Sequence, residues 1–192
     1  SFIDNVCPSA HEMKPQPITA GGWLECNVSG PTCVFVYKTV SEPHVGDLSF
    51  FKVYSGVVKS GMELMNENTG VSEKFTQLFV VEGNKRTPVN ELAAGDIGAT
   101  LKLKNTHVNN TLHEKGNHLE LVPIQFPLPN MTVAVENVNK GEEEKLSLAL
   151  HQLIEEDATI KVEFSPELKQ TLIHCQGDMH LAVIKWKIEH LQ

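Results

Sequence analysis

Thr32-Cys33-Val34-Phe35-Val36-Tyr37-Lys38-Thr39-Val40, followed after Glu42-Pro43-His44-Val45-Gly46 by Leu48-Ser49-Phe50-Phe51-Lys52-Val53-Tyr54-Ser55, decides the fold class. Both runs are rich in β-branched and aromatic residues, which suit a pleated, half-buried surface, and the segment between them is turn-forming. Both read as strands. Similar runs follow at Met62–Met65, Phe75–Val81, Ile97–Leu103 and Leu119–Ile124, punctuated by Ser60-Gly61, Asn68-Thr69-Gly70, Gly83-Asn84 and Ala94-Gly95-Asp96. Many short strands with almost no helical period predict a closed β-barrel over residues 30–125.

Working outward, residues 1–29 carry Pro8, Pro15, Pro17 and Gly21-Gly22 with little periodicity, the texture of a linker or an irregular packed arm. The chain opens on Ser1 and Phe2-Ile3-Asp4-Asn5-Val6 without an initiator Met, so it is expected to come from a longer protein. Downstream, Pro127-Leu128-Pro129-Asn130 breaks the barrel texture and a second domain, 126–192, begins. Met131–Val135 reads as a strand. Leu146, Ala149, Leu150 and Leu153 fall at i, i+3, i+4 and i+7, one face of a helix whose first turn holds Glu142, Glu143 and Glu144. Ile160–Phe164 and Gln170–His174 form a hairpin across Ser165-Pro166-Glu167, and Leu181, Ile184 and Ile188 mark a last helix from Gly177-Asp178. The order β-α-β-β-α is a ferredoxin-like unit lacking its last strand. Met131–Val135 is therefore expected at an open sheet edge.

The length, 192 residues with 41% hydrophobic and 21% charged, suits one large or two small globular domains. A net charge of −8 argues against a simple basic nucleic-acid module, and nothing points to DNA. No run reaches the roughly 18 apolar residues of a membrane span, and no signal-peptide pattern opens the chain. Cys7, Cys26, Cys33 and Cys175 lack paired spacing, which favours a reduced, cytoplasmic setting without disulfides.

Motifs that would carry chemistry fail on residue identity. Gly56-Val57-Val58-Lys59-Ser60-Gly61 has phosphate-loop glycine spacing, but Met62-Glu63 stands where Lys and Ser/Thr are required. Asn84-Lys85-Arg86-Thr87 lacks the carboxylate of a guanine-reading loop and reads as a basic loop. His174-Cys175-Gln176-Gly177-Asp178-Met179-His180 gathers nucleophile and metal-ligand types, yet His174 and Cys175 alternate across a strand and no other cysteine is zinc-spaced. Three consecutive glutamates fan around a helix and cannot converge on a cation. Neither catalytic residues nor a metal site is expected. The triplets at Asn27, Asn109 and Asn130 match the glycosylation pattern by chance when no secretory context exists.

Specific strings now combine: Lys38-Thr39-Val40-Ser41-Glu42-Pro43-His44-Val45-Gly46, Phe51-Lys52-Val53-Tyr54-Ser55-Gly56 and Ala94-Gly95-Asp96-Ile97, then Phe126-Pro127-Leu128-Pro129, Glu144-Lys145-Leu146, Glu155-Glu156-Asp157 and Gly177-Asp178-Met179-His180-Leu181. In this order and spacing, residues 30–192 resemble the second and third domains of bacterial elongation factor G, the ribosomal translocase. Lys52 stands where many members have Arg, Ala158 where Pro is common, and Asp178-Met179 where Glu-Leu is usual. A specialised paralogue, such as a ribosomal-protection protein, stays open, as does a standalone protein-binding module built on the same barrel.

The resemblance implies a translation-factor barrel, residues 30–125, and a truncated third domain, residues 126–192, with 1–29 the tail of an upstream GTPase domain. It implies a non-enzymatic ribosome-binding and coupling piece whose partners are small-subunit ribosomal RNA, ribosomal protein and its own GTPase domain. GTP and Mg would sit in that upstream domain, with no cofactor here. By the same resemblance Thr159 and His180 would line the fusidic-acid-type pocket facing the GTPase domain. Residues 30–125 carry nine basic and ten acidic residues against six and eleven in 126–192, so the barrel is the expected RNA face. Its candidate phosphate contacts are Lys85, Arg86, Lys102 and Lys104, with the first two expected on an exposed loop.

Overall fold

The computed structural model describes residues 6–42, 46–101, 103–136, 141 and 143–190. The chain separates into two compact units, the first ending at Ile124 and the second starting at Gln125.

The first unit is built from short strands: β1 (Gln16–Pro17), β2 (Trp23–Leu24), β3 (Cys33–Glu42), β4 (Gly46–Ser55), β5 (Val57–Lys59), β6 (Glu63–Asn66), β7 (Ser72–Lys74), β8 (Leu78–Glu82), β9 (Lys85–Val89), β10 (Glu91–Ala93), β11 (Ile97–Leu101) and β12 (Thr111–His113). Eight of them form one antiparallel sheet in the order β7-β6-β12-β3-β4-β11-β8-β9, and β5 pairs with β10 apart from it. Side chains alternate across a strand. On β3, Val34 and Val36 enter a core with Phe51, Val53, Leu64, Phe75, Leu78, Leu92 and Leu112, while Cys33 and Phe35 pack on the other side with Leu24 and Leu121. Burial on both faces explains the almost unbroken apolar run of β3. Leu64 and Leu78 belong to opposite halves of the sheet order yet share one core, so the sheet curls round it. The strand ladder ends at β7 and β9, and single backbone bonds such as Ser60 N–H to Asn90 O and Gly61 N–H to Phe75 O help to span the gap.

Several sequence expectations change here. The run Leu119–Ile124 makes one bridge, Leu121 with Ile18, rather than a strand, because its backbone bonds go to the irregular arm at Pro17 and Thr19. The arm itself is ordered from β1 to β2, and Leu24 is buried against the barrel. Phe75 precedes β8 and serves as a core plug, its ring edge-on to Phe51 at 5.3 Å.

Asn66 and His113 are buried polar groups with local partners. Asn66, fully buried, donates to Asn105 O, Thr106 Oγ1 and Asn110 Oδ1 and accepts from the Asn68 N–H. Buried His113 faces Glu114 O at 2.8 Å with Nδ1 and Glu67 Oε2 at 2.6 Å with Nε2. The His113 bond, against the opposing effect of burial and helped by His118, holds Glu67 below the usual carboxylate range.

The second unit holds β13 (Met131–Val135), α1 (Glu143–Glu156), β14 (Lys161–Ser165), β15 (Gln170–Cys175) and α2 (Asp178–His190). Its sheet order is β13-β15-β14, all antiparallel. Met131, Val133 and Val135 on β13 and Ile173 and Cys175 on β15 turn one face toward Leu150 and Leu153 of α1 and Ile184 of α2. The helical faces read from the periodicity are those that are buried. Lys187 Nζ meets Glu156 Oε2 at 2.7 Å and ties α2 to α1. Among the described residues β13 pairs on one side only, at the sheet edge. No helix is long and apolar enough to cross a membrane among the described residues.

Candidate functional site

The loop after α1 is organised by Asp157. Its N–H closes the helix on Leu153 O at 3.0 Å, and its Oδ1 accepts the Thr159 N–H at 2.9 Å and the Thr159 hydroxyl at 2.6 Å. This is the turn that an Asp two residues before a Thr favours. The second oxygen, Oδ2, lies 3.2 Å from His180 Nε2. His180 Nδ1 accepts the Gln176 N–H at 3.2 Å, which leaves the proton on Nε2, pointing at the carboxylate. Thr159 and His180 are thus brought together through one side chain, that of Asp157, the last residue of the Glu155-Glu156-Asp157 string. The sequence alone assigns that aspartate no role, although its Asp-x-Thr spacing is the signal that could have found it.

Burial opposes ionisation of Asp157, but the bonds from Thr159 and the interaction with His180 outweigh it, so the carboxyl titrates below its ordinary value. A depressed folded value means that the stabilisation is fully present above the unfolded value of about 3.9 and is lost as pH falls through the folded one. Urea stability of the second unit should therefore decline from about pH 5 to about pH 2, and Asp157→Asn should flatten that decline. An unchanged acid slope in the variant would show that this carboxylate contributes nothing to it.

The cluster is not a hydrolytic triad. In a hydroxyl-imidazole-carboxylate relay the hydroxyl touches the imidazole, whereas here both Thr159 and His180 donate to the same carboxylate and the other imidazole nitrogen is held by a backbone N–H. His174 and Cys175 part across β15 as the alternation requires: His174 Nδ1 meets Thr132 Oγ1 at 2.9 Å, and Cys175 is buried in the core. Beside His180, Gln176, Asp178, Met179 and Val183 line an open depression of about 450 Å³.

The cationic candidates fall on the barrel. Lys85 and Arg86 do not lie on a loop; they open β9, directly after the two-residue turn Gly83-Asn84. Gly83 at φ +58° in the first turn position is what lets so short a turn continue into the ladder, and pairing therefore captures the two basic residues. Lys85 is exposed and Arg86 half-buried, on an edge strand that Pro88 also marks as one. Lys104 is exposed beyond the end of β11, and Lys102 lies outside the described residues. Register separates Lys104 from the hairpin tip, since Thr100 pairs with Leu78 while Lys85 pairs with Glu82 at the far end of β8.

Residues 31–115, the barrel, match the family model described as Elongation factor G domain 2, and residues 126–191 match Elongation Factor G, domain III. The chain belongs to the elongation factor G family. It carries the second and third elongation factor G domains in that order, the curled barrel followed by the α+β unit. A crystal structure of a protein from Thermus thermophilus superimposes with a TM-score of 0.73 at 27% identity over 83% of this chain. The chain spans 24% of the length of that protein. Within the elongation factor G pattern, Phe51-Lys52-Val53-Tyr54-Ser55-Gly56 is β4 and the turn that ends it, and Gly177-Asp178-Met179-His180-Leu181 is the start of α2.

Proposed function

We propose that this chain is the ribosome-binding and coupling part of a translocation GTPase, acting in the cytoplasm and without catalysis of its own. Two elongation factor G domains in family order carry the reading. The barrel would rest on small-subunit ribosomal RNA and ribosomal protein, with Lys85, Arg86, Lys102 and Lys104 as phosphate contacts. The Asp157, Thr159 and His180 cluster would face the GTPase domain, which would hold GTP and Mg. A carboxylate that orients a hydroxyl and an imidazole offers polar groups held in place, the property a relay surface needs.

Ribosome association of the chain with Lys85→Glu and Arg86→Glu tests the reading. Sedimentation with small subunits should weaken at least tenfold, with a shallower dependence on salt between about 50 and 200 mM, because phosphate contacts release counterions. Equal binding and an equal salt slope would remove the hairpin from the interface, and absence of binding by the unaltered chain would overturn the function.

A further inference from the structure

The outer face of the barrel carries a cleft of about 390 Å³ that the function above does not use. Its floor is set by register: Lys52 on β4 lies between Phe35 on β3 and Ile97 on β11. Tyr54 stands edge-on to Phe35 at 6.4 Å, Lys52 Nζ lies 5.1 Å from the Tyr54 ring centre, and half-buried Tyr37 completes the aromatic lining. The walls are two chain segments fixed by backbone bonds. Val122 N–H donates to Pro17 O at 3.2 Å, and both ends of the Asn109 amide clamp Ile124, at 2.9 and 3.0 Å.

Three apolar side chains ring this opening without being covered: Ile97 is 55% exposed, Val122 46% and Ile124 44%. Such a cleft, aromatic and preformed with few polar groups, is the usual form of a ligand site. Two requirements define its occupant. The aromatic lining accepts a flat ring. Lys52 is the only charged group in the lining, no carboxylate joins it, and it makes no ion pair among the described residues, so the ring should carry an anion. An apolar protein segment meets the first requirement but would strip water from the ammonium and give nothing back. A nucleotide meets both, since unstacked bases pack on aromatic side chains while lysines take phosphates.

We propose that this cleft binds one unstacked nucleotide of an RNA strand, with the base on Tyr37 and the phosphate at Lys52. This deepens the ribosome-binding reading and rests on it. Burial keeps the Tyr37 and Tyr54 phenols above their ordinary values, hence protonated and able to donate to base edges at neutral pH.

The test titrates the isotope-labelled chain with the four nucleoside monophosphates and the matching nucleosides, followed by NMR. At least one monophosphate should bind saturably at millimolar concentration, with shifts at Phe35, Tyr37, Lys52, Tyr54 and Ile97, and its nucleoside at least fivefold more weakly. Lys52→Gln should reduce the monophosphate to the affinity of the nucleoside, and Tyr37→Ala should weaken both, in variants whose remaining spectra show a folded barrel. No saturable monophosphate binding, equal affinity for nucleoside and monophosphate, or shifts caused only by an uncharged apolar peptide would each overturn the proposal. Small-subunit sedimentation separates the two levels. Ribosome binding by the unaltered chain without nucleotide binding defeats the cleft alone, whereas nucleotide binding without ribosome association defeats the broader reading and leaves the cleft a nucleotide site.

Discussion

Substituting Gly56 by alanine will destabilise the barrel by about 3 kcal/mol or more, because two penalties coincide. Gly56 sits at φ +72°, where a side chain is strained. A Cβ there would also lie 2.6 Å from Thr32 Cα and 2.7 Å from Thr32 N, both backbone atoms that cannot swing aside. Moving the turn would disturb the bonds from Gly56 N–H to Asn27 O and from Ala94 N–H to Gly56 O, each 2.9 Å. A drop of about 10 °C in the melting midpoint of the first unit is expected. Gly61 and Gly70 supply the control: at φ +84° and +70°, with open space where a Cβ would stand, each alanine should cost only about 1 kcal/mol. Equal losses at all three positions would mean that strain, and not the approach of Thr32, governs the site.

Phe51→Ala should cost about 3 to 5 kcal/mol, the range for removing a fully buried aromatic side chain. Phe51 is inaccessible to solvent, edge-on to Phe75 at 5.3 Å, and shares the core that both halves of the curled sheet enclose. Its loss removes the contact that holds Phe75 in place as well as its own. The second unit has a separate core, so hydrogen exchange at β13 and β15 should keep its protection while β3, β4 and β11 lose theirs. Parallel loss in both units would show that they unfold as one. A cost under about 1 kcal/mol would show that the core refills.

The two-domain order, the strands β3, β4 and β11 and both helical faces were legible because each depends on a local period or composition. Short apolar alternation cannot mean much else when turn residues bracket it, and Leu146 to Leu153 recurs at helical spacing. The strands β5, β7, β10 and β12, three residues each, were not legible. Segments such as Ser72-Glu73-Lys74 have no strand composition and are held extended by pairing with a neighbouring strand. Leu119–Ile124 shows the reverse: strand-like composition, but its neighbour in space is an irregular arm and only one bridge forms.

For the sites, the family resemblance singled out Thr159 and His180 and a polar turn in that register singled out Lys85 and Arg86, while Met62-Glu63 in place of Lys and Ser/Thr spoke against a phosphate loop. Neither signal could place these residues. Lys85 and Arg86 entered a strand because a glycine at positive φ made the preceding turn short enough for pairing to reach them. Thr159 met His180 because the end of α1 and the start of α2 converge on Asp157, a contact spanning 23 residues from Asp157 to His180. The cleft at Lys52 depends on β3, β4, β11, the arm and residues 121–124 at once. Local periods and motifs are properties of neighbours in the chain and survive in the sequence, whereas convergence is a property of neighbours in space and arises only when the long-range pairings form.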